Sequence, residues 1–183
     1  MGWILVLVPL GVFIATWWLT GRVRAWLARR AILDRPVERS AHSVPVPRGG
    51  GLAVVPVIVV AWLALALLGV APAGGAAIAG LAAALAVLSW LDDLRGLPIG
   101  LRLAAHLVAA AAGLAFLPGA GAVFQEVLPP ALDYVATALL WVWFVNVFNF
   151  MDGIDGITGV ETAAAGVGVA LVVLSIGNDP DGS

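Results

Sequence analysis

The sequence has no cysteine, no lysine and little charge of either sign. The absence of cysteine excludes disulfide bonds and thiolate metal centres. Only 11% of the 183 residues are charged and 62% are hydrophobic, whereas about 25% of the residues in a soluble domain are charged. Together with a mean hydropathy of +1.07, this composition excludes an ordinary soluble domain and predicts an integral membrane protein.

The scarce positive charge is concentrated in one loop. Seven of the nine arginines lie between Arg22 and Arg48, and none precedes the first apolar run. Because arginine accumulates in the cytoplasmic loops of membrane proteins, we place this loop in the cytoplasm and the N-terminus outside, with the first run a retained anchor. Topology explains a short basic loop between apolar runs, which argues against nucleic acid as a partner.

Six apolar runs approach the length of about 20 residues that a helix needs to cross a bilayer. They predict an all-α, polytopic integral membrane protein with about six transmembrane helices in a single membrane domain, residues 1–183. The runs cover approximately residues 2–20, 51–70, 73–91, 101–117, 133–148 and 157–176. This topology places both termini outside and all nine arginines inside.

The end of the fifth run breaks the apolar background. Asn146, Asn149, Asp152 and Asp155 recur at every third residue, so they are neighbours on the surface of a helix. Two glycines among them let the backbone unwind around a ligand. Because a carboxylate in the middle of a bilayer costs roughly 2.5 to 3.5 kcal/mol, such acids line cavities, lie at boundaries or hold cations. We interpret this stretch as a metal and phosphate site at the end of a membrane helix.

A second polar segment, from His42 to Gly51, precedes the second run. Pro45 and Pro47 favour an extended backbone, and three consecutive glycines allow backbone N–H groups to approach an anion at the start of a helix. The alternative is a glycine-rich hinge entering a membrane span, and the segment alone does not decide between them.

Two further polar groups flank the start of the fourth run. Asp92 and Asp93 follow the third run, where Gly96 and Pro98 predict a helix end; an exposed helix terminus is the alternative reading. In the fourth run, residues 102 and 106 are an arginine and a histidine on one helix face, which suggests an edge that faces an anion. The topology brings all four polar groups to one membrane face, and we therefore predict a shared site.

The polar motifs of this sequence resemble those of the polyprenyl-phosphate N-acetylhexosamine-1-phosphate transferases, a family that includes the phospho-MurNAc-pentapeptide translocase. The resemblance covers Arg39 to Glu161. It rests on three motifs. The first is the loop His-Ser-Val-Pro-Val-Pro-Arg-Gly-Gly-Gly, the second is the aspartate pair in Leu-Asp-Asp followed by Arg-Leu-x-x-His, and the third is Asn-x-x-Asn-Phe-Met-Asp-Gly-Ile-Asp-Gly. The first and third motifs look closer to the branch that initiates O-antigen or similar surface glycans than to the peptidoglycan branch.

The resemblance implies a fold of ten or eleven spans, of which this chain is the N-terminal part. Beyond the sixth span the family carries a Gly-Asp-x-Gly-Ser motif and a His-rich cytoplasmic loop, and the sequence stops before both. The expectation is therefore a fragment or a truncated product, and activity of the 183-residue chain alone is left open.

The resemblance also implies the reaction: transfer of N-acetylhexosamine-1-phosphate from a UDP-N-acetylhexosamine to undecaprenyl or another polyprenyl phosphate, with release of UMP. It implies Mg²⁺, with Mn²⁺ as an alternative, and a multi-pass protein of the bacterial inner membrane whose active site faces the cytoplasm. Its partners would be both substrates and the lipid bilayer; a homodimer is left open. The implied residues are Asp152 and Asp155 as catalytic acids, Asp92, Asp93 and Asn149 as metal ligands, and His42, Arg48, Gly49, Gly50, Arg102, His106 and Asn146 as substrate contacts.

Two other classes of function stay open on sequence alone. A proton- or cation-coupled transporter accounts for acids and a histidine within the membrane, but not for the proline- and glycine-rich loop. An inactive membrane remnant accounts for the missing C-terminal motifs.

Overall fold

The computed structural model describes residues 2–34, 44–47, 49–71, 73–117, 123–124, 127–151 and 157–177. Six helices and one short antiparallel ribbon make up this part of the chain. The helices are α1 (Gly2–Arg29), α2 (Gly51–Leu67), α3 (Gly75–Arg95), α4 (Ile99–Phe116), α5 (Pro130–Met151) and α6 (Ile157–Gly177); the strands are β1 (Leu33–Asp34) and β2 (Val46–Pro47).

The helices have the length and composition of membrane helices. Four apolar stretches are long enough to cross a bilayer, namely Val6–Arg29, Gly75–Arg95, Ile99–Phe116 and Pro130–Phe150, and the shorter apolar stretches Gly51–Leu67 and Ile157–Val172 accompany them. The predicted all-α, polytopic membrane fold is confirmed.

Several helices differ from their predicted bounds. α1 continues about nine residues beyond the predicted end, since the Arg, Ala and Leu residues after Thr20 are good helix formers that also suit the membrane surface. α3 continues through both aspartates to Arg95 and ends only at Gly96, whose φ of +66° is the left-handed conformation of a glycine cap. α5 begins at Pro130, because proline is well suited to the first helical position.

The helices pack mainly against their neighbours in the chain, and α6 packs only lightly against α5. Small residues dominate the buried positions, including Ala53, Ala79 and Ala110. Small side chains let helix backbones approach closely, which is the usual packing of membrane helices. Large apolar side chains such as Trp143 and Phe144 are exposed on the outside, where lipid would surround them.

The ribbon connects the end of α1 to the start of α2. Leu33 pairs with Pro47 and Asp34 with Val46. This pairing was not predicted, although the two prolines had indicated an extended backbone here. The ribbon fixes the chain immediately before the glycine-rich entry to α2.

Candidate functional site

A cavity of about 680 Å³ lies between the start of α2 and the end of α3. Gly49, Gly50 and Gly51 line it on one side, Asp93 on another, and Asn149 contributes from the end of α5. Ser89 and apolar side chains of α2 and α3 form the remaining wall. The structure therefore brings three of the four predicted polar groups to one cavity.

The first glycine of this loop cannot be replaced without strain. Gly49 has a φ of +111°, and a Cβ atom there would lie 2.7 Å from Cζ3 of Trp90. The loop backbone thus approaches the indole ring closely and enters α2 directly, with the N–H of Leu52 donating to the carbonyl of Gly49 at 3.1 Å. The positive end of the α2 dipole consequently lies at the cavity, which favours an anion there.

The two adjacent aspartates have different surroundings. Because α3 continues to Arg95, successive side chains point about 100° apart. Asp93 lines the cavity. Asp92 Oδ1 accepts a 2.6 Å hydrogen bond from the N–H of Leu97, and its Oδ2 accepts a 2.7 Å bond from Nη1 of Arg102. Asp92 therefore holds the turn between α3 and α4, as well as the arginine that was predicted to contact substrate.

The predicted substrate contacts on α4 and α5 form a second pair. Nδ2 of Asn146 lies 3.3 Å from Nδ1 of His106 and also donates to the carbonyl of Val142 at 2.8 Å. His106 lines a separate cavity of about 190 Å³, whose other side chains, from α3, α4 and α5, are apolar. This pair joins α4 to α5 and does not line the larger cavity.

The described residues account for eight of the twelve predicted site residues. Gly49, Gly50, Asp93 and Asn149 share the larger cavity, and the Asp92–Arg102 and His106–Asn146 pairs accompany it. The other four, His42, Arg48, Asp152 and Asp155, lie outside the described residues. The metal-binding, substrate-binding and catalytic roles remain predictions.

Comparison with known proteins identifies the family. A family model described as glycosyl transferase family 4 matches residues 75–180, which is more than half of the chain. The chain belongs to glycosyl transferase family 4. This match and the names of the curated relatives together confirm the predicted resemblance to the polyprenyl-phosphate sugar-phosphate transferases.

Curated relatives of this family 4 chain carry a more specific name. It is 33% identical to the decaprenyl-phosphate N-acetylglucosaminephosphotransferase of Mycobacterium tuberculosis (strain CDC 1551 / Oshkosh), over 94% of this chain and 46% of the relative. The proteins of the same name from Mycobacterium leprae and Mycolicibacterium smegmatis are 32% and 31% identical, over 97% and 94% of this chain and 48% and 45% of theirs. The chain thus spans about half the length of these relatives. No solved structure matches it significantly.

One feature of this family 4 site was not predicted from sequence. Trp90 lines the cavity, and its ring lies against Gly49. Its position two residues before Asp92 was the available signal. Eight tryptophans in an apolar sequence made that signal weak.

The donors that the cavity offers fit a hard divalent cation. A carboxylate from Asp93 and an amide oxygen from Asn149 are the oxygen ligands that Mg²⁺ prefers. Within the described ranges, no group of three acidic, histidine or cysteine side chains could hold a metal. Because Mg²⁺ is commonly held by one or two carboxylates with substrate phosphates and water, two protein donors suit a cation that arrives with a diphosphate.

Proposed function

We propose that the protein transfers N-acetylhexosamine-1-phosphate from a UDP-linked donor to a polyprenyl phosphate, releasing UMP and initiating a lipid-linked surface glycan. One observation carries this proposal. A single cavity joins the glycine-rich start of α2 to Asp93 and Asn149 at the ends of two other apolar helices. Family membership and the names of the relatives support it.

The reaction brings two anionic groups together, so the site must neutralise charge more than it must supply a strong base. The positive end of the α2 dipole lies at Gly50 and Gly51, which line the cavity, and it suits a phosphate oxygen. Arg102 forms a 2.7 Å ion pair with Asp92, the chain neighbour of the cavity residue Asp93, and is proposed to contact a substrate phosphate from there. These elements favour a diphosphate ligand and a stabilised leaving group.

In this proposal, a divalent cation also helps to neutralise the anionic groups of the substrates. Asp93 and Asn149 would hold Mg²⁺, or Mn²⁺ in its place, with Asp92 retained as a candidate ligand from the sequence pattern. Bound Mg²⁺ supplies charge neutralisation to the diphosphate. Asp152 and Asp155 are proposed as acids of the reaction centre on the resemblance alone, because they lie outside the described residues.

The cavity wall supports a lipid acceptor. Val55 and Val59 of α2 and Val87 of α3 continue from the polar end along the apolar helices. The cavity therefore has a polar end and an apolar wall, and a polyprenyl phosphate likewise has one charged end and a long apolar chain. We therefore propose that its phosphate lies near the glycine loop and its isoprenoid chain along these helices.

The arginine distribution supports a site on the cytoplasmic side of a bacterial inner membrane. Arg22, Arg24, Arg29 and Arg30 lie at the end of α1, and Arg102 lies at the start of α4, paired with Asp92. Arginine-rich ends of membrane helices are usually cytoplasmic. A sugar nucleotide made in the cytoplasm would then reach the cavity directly.

UMP release by the full-length protein in lipid nanodiscs tests the proposal. UDP-N-acetylglucosamine and UDP-N-acetylgalactosamine serve as donors, and decaprenyl and undecaprenyl phosphate as acceptors. We expect UMP only when donor, lipid phosphate and Mg²⁺ are all present. Proton or cation flux in liposomes without UMP release would favour the transporter instead, and neither activity would favour the remnant.

A further inference from the structure

A groove runs along α1, and none of the described residues that line it also lines the candidate site. Its volume is about 840 Å³, and Pro47 of β2 forms its far edge. Phe13 and Trp17 line its apolar end, and Arg22 and Arg24 line its basic end. The groove thus combines the two chemistries of a phospholipid, an apolar surface and positive charge, in one continuous depression.

The geometry of Arg22 leaves it able to bind an anion. Its guanidinium carbon lies over the Trp18 ring, 4.7 Å from the ring centroid, which is a cation–π contact. Stacking on a ring uses the face of a guanidinium and leaves the N–H groups on its edge available to phosphate oxygens. Among the described residues that line the groove, none is acidic.

The length of the groove matches one leaflet of a membrane. Phe13 and Arg22 are nine residues apart on α1, which is about 14 Å along a helix. Half of a hydrocarbon core of about 30 Å is close to this distance. A lipid whose phosphate lay at the arginines would therefore have an acyl chain beside Phe13.

We propose that this groove binds an anionic glycerophospholipid, with its phosphate at Arg22 and Arg24 and one acyl chain along Trp17 and Phe13. Charge complementarity selects an anionic headgroup over a zwitterionic one. Two arginines at about 1 kcal/mol each correspond to a preference of about 25-fold. The proposal does not depend on the transferase reaction.

The chain supplies its own matched control. Arg29 and Arg30 lie close to the same end of α1, and Arg30 also contacts a tryptophan ring, that of Trp26, at 5.8 Å. Neither arginine lines the groove. R22Q/R24Q and R29Q/R30Q therefore remove the same charge from the same membrane surface, but only the first pair removes it from the groove.

The experiment measures lipid binding to the full-length protein in mixed micelles by native mass spectrometry, with phosphatidylglycerol and phosphatidylcholine of equal chain length. We expect the wild-type protein and R29Q/R30Q to prefer phosphatidylglycerol by about 25-fold, and R22Q/R24Q to lose most of that preference. Millimolar inorganic phosphate should compete poorly, because it lacks the acyl chain.

Several results would overturn the proposal. Equal losses in the two double variants would mean that the preference belongs to the whole basic surface, and equal competition by phosphate would mean that the headgroup alone is recognised. Dimers that form through α1 without bound lipid would assign the groove to a second copy. As a measurement that needs no variant, photoactivatable phosphatidylglycerol should crosslink the wild-type protein at residues 13–28, and crosslinks only elsewhere would contradict the site.

Discussion

Replacing Gly49 by alanine should destabilise the protein, although the change adds one methyl group. The φ of +111° is strained for any residue with a Cβ atom, at a cost of about 1 to 3 kcal/mol. The new atom would also lie 2.7 Å from Trp90 Cζ3, so the ring must move by about 0.7 Å to reach an ordinary contact of 3.4 Å. Overpacking of this kind typically costs another 1 to 3 kcal/mol. Allowing for relaxation, we expect Gly49→Ala to lower the free energy of unfolding by about 2 to 4 kcal/mol.

The neighbouring glycine is the control for this prediction. Gly50 has a φ of −55° and a ψ of −32°, and a Cβ atom there meets nothing within 4 Å. Alanine fits this backbone and restricts the unfolded chain, so Gly50→Ala should be neutral or stabilising by up to about 1 kcal/mol. The two variants add the same methyl group to adjacent residues and should change stability in opposite directions.

The free energy of unfolding of both variants is measured in mixed micelles. The purified protein is titrated with sodium dodecyl sulfate, and its unfolding is followed by far-UV circular dichroism. Adding Trp90→Phe to Gly49→Ala separates the two causes, because the smaller ring relieves the contact but not the backbone strain. We expect a coupling of about 0.5 to 1 kcal/mol between these substitutions. Equal effects of the two alanine variants, or no coupling with Trp90, would refute the account of the glycine loop.

Two other predictions concern polar contacts. The ion pair between Asp92 and Arg102 should contribute less than about 1 kcal/mol in a double-mutant cycle, because the arginine side chain is 41% exposed. High salt should weaken the ion pair. A coupling energy above about 2 kcal/mol would contradict this prediction. Asp133 is only 1% exposed and accepts hydrogen bonds from the Phe124 N–H and the Thr137 hydroxyl. Asp133→Ala should therefore lower the free energy of unfolding by about 2 to 4 kcal/mol, and Thr137→Val by about 1 kcal/mol. Equal losses in the two variants would show that the buried carboxylate does not anchor these hydrogen bonds.

The sequence was sufficient for the helices because each is a nearly continuous apolar run. It was less informative about where helices end. The third apolar run was predicted to finish at about Leu91, with Gly96 and Pro98 marking the helix end, whereas α3 continues to Arg95 and is capped by Gly96. That difference of four residues decides whether Asp92 and Asp93 face one point.

The candidate site was predicted in part. The motifs indicated that polar residues from several helix ends would meet, because helix ends on one membrane face are close together. Four residues that were predicted to share the site do not line the cavity, namely Asp92, Arg102, His106 and Asn146. Pairings between distant side chains, such as His106 with Asn146, depend on helix rotation, which a uniformly apolar sequence does not specify. The role of Trp90 depends in the same way on a loop that approaches it from another helix.

The most direct test of the central claim is divalent-cation binding at Asp93. The affinity for the cation is measured by titrating the full-length protein with Mn²⁺ in the presence of UDP-N-acetylglucosamine. Binding is followed by electron paramagnetic resonance. Asp93→Asn should weaken binding by about 10- to 100-fold, as losses around a metal site commonly do. Asp133→Asn is the control, since Asp133 and Asn149 are 16 residues apart on α5, about 24 Å; its folded fraction should bind Mn²⁺ as the wild type does. Wild-type affinity in Asp93→Asn, or an equal loss in both variants, would contradict a cation site in this cavity.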